Sequence, residues 1–214
     1  MLALILDTST PAVTAAIASG EEILAQSRTV DARAHGELLA PAIEAVLRTA
    51  GAGPRDLGAI VVGLGPGPFT GLRVGLVTAA SMGQALSIPT YGVCSLDALA
   101  VPGETVLVAT DARRREVYWA VYGPTGERLH GPDVSAPAVV DPGPATFAVG
   151  DGALRYADVL GLPTRDEPRY PEPSAFAALA AERVAGKAPG ERLTPLYLRR
   201  PDAVASAARK PVLP

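Results

Sequence analysis

The chain is poor in the residues that build disulfides and metal centres. Its 214 residues include one cysteine and two histidines. A single cysteine excludes an internal disulfide framework and favours a reducing, cytoplasmic compartment. Cys94, His35 and His130 are far apart in the sequence and lack metal-ligand spacing, so we expect no metal site.

Long apolar runs and a strong charge of one sign are also missing. No apolar run is long enough to cross a bilayer. The apolar start at residues 1–6 is followed at once by Asp7 with no basic leader, so we expect neither a membrane span nor a signal peptide. The formal net charge of −3 argues against a dedicated nucleic-acid clamp. Hydrophobic residues make up 48% of the chain, enough for a substantial core.

Apolar runs and periodic segments predict an α/β protein with two lobes, each built on a central sheet. The predicted strands are Leu2–Leu6, Val13–Ala18, Ile23–Val30, Ala59–Leu64, Pro89–Cys94, Thr105–Thr110, Glu116–Tyr122 and Thr146–Val149. The predicted helices are His35–Ala50, a helix that Gly65–Gly75 leads into and that ends at about Ser87, Leu96–Ala100, Gly152–Leu160 and Ser174–Ala185. The proline-rich stretch 131–144 is expected to be irregular. We place an N-terminal lobe at 1–103, a C-terminal lobe at 104–200 whose last helix could pack back on the first lobe, and a flexible tail at 201–214.

The helix predicted at 35–50 has one apolar face, with Leu38, Leu39 and Ile43 recurring at helical spacing. Pro41 should bend this helix or mark its first turn. The apolar face must be covered, and the sequence leaves open whether its own lobe or a partner covers it.

The glycine-rich segment Gly65–Gly75 follows a strand and precedes a helix, as phosphate-binding loops do. It lacks the Gly-Lys-Ser/Thr of a Walker loop, and its glycine spacing is not that of a Rossmann fingerprint. Pro66 and Pro68 have no N–H group to donate to a phosphate. Nucleotide binding by this loop is therefore not favoured.

Small residues recur every fourth position through the segment and the helix that follows it. On a helix this spacing makes a strip of small side chains along one side, formed by Gly67, Gly71, Gly75, Ala79, Gly83 and Ser87. Each helical glycine costs about 1 kcal/mol relative to alanine, so close packing must offset that cost. Tight packing inside the lobe and a docking surface for a partner are equally consistent with the strip.

Asp7-Thr8-Ser9 lies at the turn where actin-like ATPases hold phosphate. The matching turn of the second half, Thr110–Arg115, keeps Asp111 but has alanine and three arginines where such enzymes have glycines. Gly150–Gly152 is weakly similar to the glycine-rich adenosine site of such enzymes. Asp7, Thr8, Ser9 and Asp111 are thus weak candidates for a nucleotide site, and an actin-like ATPase or kinase that uses Asp7, Thr8 and Asp111 is the alternative function.

Several strings together resemble the bacterial TsaB (YeaZ) family. The most specific is Gly65–Gly75, GPGPFTGLRVG; the supporting strings are Leu4–Ser9, His35–Pro41, Asp111–Tyr118, Val149–Gly152 and Leu196–Arg199. The resemblance implies the fold of actin, Hsp70 and sugar kinases, with two RNase H-like lobes. It also implies an inactive paralogue of TsaD, the enzyme that transfers a threonylcarbamoyl group to adenosine 37 of tRNA.

Members of the family are described as docking onto TsaD, with the ATPase TsaE joining, and as forming homodimers. The resemblance therefore implies a scaffold with no catalytic residue and no cofactor of its own, with ATP in the assembled complex and with tRNA bound only indirectly or weakly. The docking face that it implies comprises the helix at about 36–50 and the glycine-rich helix. The implied interface residues are His35, Leu38, Leu39, Ile43, Gly67, Phe69, Thr70, Gly71, Arg73, Gly75, Ala79 and Gly83.

One feature agrees with the lack of TsaD's metal site that the resemblance implies, and one feature departs from the family pattern. Ser95 and Leu99 stand where TsaD-like proteins carry a metal-binding histidine pair, which argues against a metallopeptidase activity. Pro68 stands where the family commonly has serine, which removes a hydroxyl and an N–H group and weakens any role of this loop in phosphate binding.

Overall fold

Residues 1–199 are described by the structure, a computed structural model. The first lobe contains the strands β1 (Leu2–Asp7), β2 (Ala12–Ser19), β3 (Glu22–Val30), β4 (Leu57–Gly63) and β5 (Thr90–Val93), with the helices α1 (His35–Thr49) and α2 (Phe69–Leu86). The remaining elements are β6 (Val106–Asp111), β7 (Val117–Tyr122), β8 (Arg128–Ser135), β9 (Phe147–Val149), α3 (Asp151–Arg155), α4 (Ala157–Leu160) and α5 (Pro173–Ala185). The predicted tail at 201–214 lies outside the described residues.

The first sheet has the strand order β3-β2-β1-β4-β5. β1, β2 and β3 form an antiparallel meander, and β4 and β5 add to it in parallel with β1. β1 and β4 are buried along almost their whole length, as expected of apolar strands covered on both faces. Helices α1 and α2 cover one face of this sheet.

The second sheet repeats the start of this topology, with the order β8-β7-β6-β9. β6, β7 and β8 form an antiparallel meander, and β9 pairs in parallel with β6. The prediction of an α/β protein with two mixed sheets and flanking helices is confirmed.

The other face of the first sheet is covered by α5, although this helix follows the second sheet in the chain. Phe176 is fully buried there, beside Ala177, Ala180 and Val184. Burial of a phenylalanine side chain contributes about 1.5–3 kcal/mol before entropy. α5 therefore ties the C-terminal half of the chain to the N-terminal sheet.

After α5 the chain turns at residues 186–187 and returns along the edge of the first sheet; we call residues 186–199 the strap. The Tyr91 hydroxyl donates to the carbonyl oxygen of Ala188 at 2.7 Å, and Leu196 N–H donates to the carbonyl oxygen of Leu64 at 2.8 Å. Arg199 then donates to the carbonyl oxygen of Ala112 in the second lobe at 2.7 Å. The strap thus contacts both lobes.

Two local expectations were wrong. Residues 131–135, expected to be irregular, belong to β8, because an edge strand tolerates Pro132 even though this residue has no N–H to donate. The helix expected at 152–160 is divided at Tyr156 into the short helices α3 and α4. α1 begins at His35, so Pro41 lies inside it rather than in its first turn. None of the helices within residues 1–199 has the length and apolar content needed to span a bilayer.

Candidate docking surface and interlobe cleft

A cleft of about 600 Å³ separates the start of α2 from the second lobe. It corresponds to the place where the sequence suggested a nucleotide site. Its lining includes Thr8, His35, Thr70, Asp111, Arg113 and Arg155. The structure therefore brings Thr8 and Asp111 to one cavity, as the actin-like alternative requires. Asp7 and Ser9 do not line it.

Asp7 is turned away from this cleft and lies fully inside the first lobe. Its carboxylate accepts hydrogen bonds from the backbone N–H of Ser9 at 2.9 Å, the Ser9 hydroxyl at 2.8 Å and the Ser95 hydroxyl at 2.6 Å. Burial raises the pKa of Asp7 above its ordinary value, although these hydrogen bonds partly oppose the rise. All these donors come from the protein itself, so the carboxylate serves an internal network.

Thr8 and Asp111 are also engaged by neighbouring groups. The Thr8 hydroxyl donates to the carbonyl oxygen of Gly71 at 2.8 Å and accepts from Gly75 N–H at 3.0 Å. Asp111 accepts from Arg113 N–H at 3.1 Å and forms an ion pair with Arg155 at 3.0 Å. Thr8 therefore fixes the start of α2, and Asp111 fixes the turn that carries Arg113.

The small residues of the glycine-rich segment lie inside the lobe, which corrects their assignment to the docking interface. A Cβ atom at Gly75 would lie 2.6 Å from Thr8 Oγ1, and one at Gly83 would lie 2.5 Å from Thr90 Cγ2. A Cβ at Gly71 would lie 3.0 Å from the Thr8 carbonyl oxygen, and one at Gly67 would collide with the backbone of Ser9. Ala79 is fully buried. These positions are small because β1, β4 and β5 approach α2 closely.

The same correction applies to part of α1. Leu39 and Ile43 are buried against the first sheet and so cannot form a contact surface. His35 is also buried, and its Nε2 donates to the carbonyl oxygen of Thr10 at 2.8 Å. Leu38 is only half-buried and packs at the border of the same core cluster.

The exposed side of α2 carries a single charge and mixes apolar with small or neutral polar residues. In its 18 residues Arg73 is the only charged side chain. Val77 is 62% exposed and Phe69 is 46% exposed. Thr70 and Ala80 are exposed on this helix as well. Large exposed apolar side chains with few charges around them are typical of contact surfaces.

Tyr197 of the strap completes this surface, and the sequence did not identify it as a site residue. Its ring stacks on Phe69 with centroids 5.3 Å apart, and its oxygen accepts a hydrogen bond from Arg73 Nε at 2.7 Å. The Arg73 guanidinium lies 3.6 Å from the centre of the Phe69 ring. Val77 was missed too, although Phe69, Arg73 and Val77 follow one another at steps of four and therefore share one side of α2.

Arg113, Arg114 and Arg115 form the turn between β6 and β7, and all three adopt left-handed backbone angles, with φ of 58°, 55° and 63°. Such angles cost roughly 1–2 kcal/mol per residue outside glycine. All three side chains are exposed, in agreement with their interpretation as a solvated face. Arg113 also lines the interlobe cleft.

Other candidate chemistry is absent or inert in the part of the chain that the structure describes. Within residues 1–199 no cluster of His, Cys, Asp or Glu side chains could hold a metal ion. Burial, with a smaller contribution from the charge of Asp97, raises the pKa of Cys94 to about 12, so its thiol stays protonated at neutral pH. Ser95 is bonded to Asp7, and Leu99 is fully buried.

Comparison with protein families gives one match that covers most of the chain. Residues 22–186 match the family model described as TsaD: tRNA N6-adenosine threonylcarbamoyltransferase. A protein of Mycobacterium tuberculosis is 52% identical over 205 residues, which cover 94% of this chain and 92% of its own. The tRNA threonylcarbamoyladenosine biosynthesis protein TsaB of Escherichia coli is 30% identical over 220 residues, which cover 93% of this chain and 95% of its own.

Solved structures agree with these sequence matches. YeaZ from Pseudomonas aeruginosa superimposes with a TM-score of 0.79 at 30% sequence identity, over 92% of this chain and 99% of its own. The predicted fold class is thereby confirmed.

Proposed function

Because the chain belongs to the TsaB (YeaZ) family, we propose that it is a non-catalytic scaffold and activator subunit in the biosynthesis of tRNA threonylcarbamoyladenosine. Its partner in this proposal is the catalytic paralogue TsaD, which transfers the threonylcarbamoyl group to adenosine 37. The proposal assigns no catalytic residue to the chain itself.

The observation that carries the docking proposal is the exposed side of α2. The solvent-facing side of a surface helix normally carries several charged residues. This helix of 18 residues has only one. Phe69 and Val77 expose apolar area on the opposite side, and Leu38 of the contacting helix α1 is only half-buried. A helix pair from a partner would cover this area as in a helix bundle. We define the docking face by Leu38, Phe69, Thr70, Arg73, Val77 and Ala80.

The interior of the first lobe favours a scaffold over an actin-like ATPase. An aspartate that binds the magnesium ion of a nucleotide has to present its carboxylate to that ion. The carboxylate of Asp7 is 1% exposed and already accepts hydrogen bonds from Ser9 and Ser95. These contacts support a structural role for Asp7, which leaves Thr8 and Asp111 without the third group of the alternative.

In this proposal the protein works in the cytoplasm and has no cofactor of its own. ATP belongs to the assembled complex, which the ATPase TsaE joins. A homodimer uses the same docking face as the complex with TsaD, so the two assemblies compete. Contact with tRNA is indirect or weak, consistent with the net charge of −3.

Light scattering after size exclusion tests the proposal with this protein alone and mixed with TsaD of the same organism. We expect a self-dimer that gives way to a mixed complex. Val77→Arg should weaken the mixed complex by at least about 30-fold, because an interface hot spot contributes about 2 kcal/mol or more. Val159→Arg is the matched control, since Val159 is 52% exposed but lies on α4 of the second lobe.

The control should bind TsaD as the wild type does. Two separate species in the mixture, even with TsaE and ATP present, would contradict the scaffold proposal. A Val77→Arg variant that binds as tightly as Val159→Arg would contradict the docking face.

A further inference from the structure

An open groove of about 760 Å³ runs between the exposed side of α2 and the strap. The residues on its α2 side include Leu76, Val77 and Ala80, and the strap side includes Leu193 and Pro195. The groove therefore has apolar residues on both walls and adjoins the docking face. A partner that covers Val77 also covers this groove. The chemistry of the groove therefore limits which segments of the partner can fit.

Arg73 stands at the end of the groove in a fixed position. Phe69 lies under its guanidinium at 3.6 Å, and the Tyr197 oxygen holds its Nε at 2.7 Å. Among residues 1–199, its two Nη groups have no hydrogen-bond partner. Cation–π contact and the Nε hydrogen bond restrict the side chain before any partner arrives, which lowers the entropy cost of binding.

The other charges along the groove leave it positive. Arg192 lines the groove and forms no ion pair within the described part of the chain. Glu191, the carboxylate in the groove lining, is engaged by Arg183 at 2.9 Å and by Gly92 N–H at 3.0 Å. Arg73 and Arg192 therefore remain without a counter-charge on a mainly apolar surface.

We propose that this groove receives an acidic segment of the docking partner, with one carboxylate bound by the Nη groups of Arg73 and a second near Arg192. This inference rests on the proposed function, because it takes TsaD as the partner. The apolar walls require the same segment to carry apolar side chains between its carboxylates, which pack against Val77 and Leu193.

The geometry of the arginine side chain favours a carboxylate as the group that binds Arg73. Its planar fork matches a carboxylate with two parallel hydrogen bonds, and an arginine held by aromatic rings is typical of interface hot spots. Tyr197 is a positioning residue here, since it orients Arg73 and need not contact the carboxylate. The strap thereby contributes to docking although it lies more than 100 residues after α2 in the sequence.

The test measures the dissociation constant between the full chain and TsaD for a set of single variants. Arg73→Gln should raise it by at least about 10-fold, and Arg192→Gln by about 3-fold. Tyr197→Phe retains the ring but removes the oxygen that holds Nε, so we expect an intermediate loss. Arg55→Gln removes an exposed arginine outside both the groove and the docking face and should change nothing.

The dependence of the dissociation constant on salt concentration is a second measurement, and a loss of packing alone would not change it. If the groove binds carboxylates, the wild-type complex weakens with added salt, and Arg73→Gln flattens this dependence. A charge swap adds a third readout. Arg73→Glu should weaken binding, and one change of an acidic residue of TsaD to arginine should restore it.

The outcomes separate the two proposals. If Val77→Arg disrupts the complex whereas Arg73→Gln and Arg192→Gln bind with wild-type affinity and salt dependence, the acidic-segment inference is overturned and the docking proposal stands. If neither Val77→Arg nor the arginine variants weaken binding, both the docking face and the inference fail.

Discussion

The hydroxyl of Thr8 is fixed to the backbone of Gly75, whose N–H donates to Thr8 Oγ1 at 3.0 Å. The same hydroxyl donates to the carbonyl oxygen of Gly71 at 2.8 Å, so one side chain from the end of β1 bridges successive turns of α2. This contact is close enough to exclude a side chain at Gly75. It explains why glycine persists inside a helix that would otherwise be more stable with alanine.

Gly75→Ala should therefore destabilise the first lobe. The added Cβ would lie 2.6 Å from Thr8 Oγ1, and the strain of such overpacking costs about 1–3 kcal/mol, more than the gain of about 1 kcal/mol in helix propensity. Urea denaturation measures the free energy of unfolding. Gly36→Ala in α1 is the matched control, because nothing lies within 4 Å of its added Cβ.

We expect the Gly36→Ala variant to be as stable as the wild type or slightly more stable. If Gly75→Ala unfolds like the wild type but loses TsaD binding, Gly75 would belong to the interface after all, as the family resemblance implied.

The spacing of small residues predicted close packing, but it could not predict what is packed. A strip at every fourth position is compatible with a neighbour in the same lobe or in another protein, because both demand the same small side chains. Only the position of Thr8, 67 residues before Gly75, decides between them. The strands and the helix bounds of the first lobe depend on local sequence patterns, so the sequence predicted them well.

The remaining site residues could not be found from local patterns. Tyr197 reaches Phe69 and Arg73 only because the strap returns along the edge of the first sheet, and such long-range contacts leave no periodic signal in the sequence. β8 was missed because Gly131 and Pro132 are unusual in strands and are tolerated here only at the sheet edge.

Asp7→Ala should lower stability and leave nucleotide binding unaffected. Removal of the carboxylate deprives the buried hydroxyls of Ser9 and Ser95 of their acceptor, at about 1–3 kcal/mol for each group left unsatisfied. Asp111→Ala is the comparison, because it breaks a partly exposed ion pair with Arg155 worth at most about 1 kcal/mol. Thermal unfolding and titration with Mg²⁺ and ATP are measured for both variants.

The scaffold proposal expects a clear loss of stability in Asp7→Ala alone. Tight binding of ATP by the wild type that requires Mg²⁺ and disappears in both variants, with their melting temperatures unchanged, would instead favour the ATPase alternative.

Phe176→Ala tests whether α5 is a structural part of the first lobe. Phe176 is fully buried against the first sheet, so its truncation should cost about 3–5 kcal/mol. Leu179→Ala on the same helix is the control, since Leu179 is 45% exposed and should cost far less. Equal and small losses in the two variants, measured by urea denaturation, would show that α5 contributes little to the stability of the first sheet.

Asp151 should make stability fall as pH rises from about 4 to 6. Burial, with a smaller contribution from the nearby charge of Asp111, raises its pKa from 3.8 to about 6. The unfolded chain loses this proton near pH 3.8, whereas the folded chain retains it until about pH 6. Ionisation therefore favours the unfolded state across this window, and the cost above it is about 3 kcal/mol at 1.36 kcal/mol per pH unit.

Asp151→Asn removes the ionisation and keeps an oxygen that can accept the hydrogen bond from Asp111 N–H, which is 3.1 Å long in the wild type. Urea denaturation gives the free energy of unfolding of this variant relative to wild type. We expect that difference to be about 1–3 kcal/mol more favourable at pH 7 than at pH 4. Asp158→Asn in α4 is the control, because its exposed carboxylate stays in water in both states. A stability difference between Asp151→Asn and wild type that is the same at both pH values would show that Asp151 ionises normally in the folded protein.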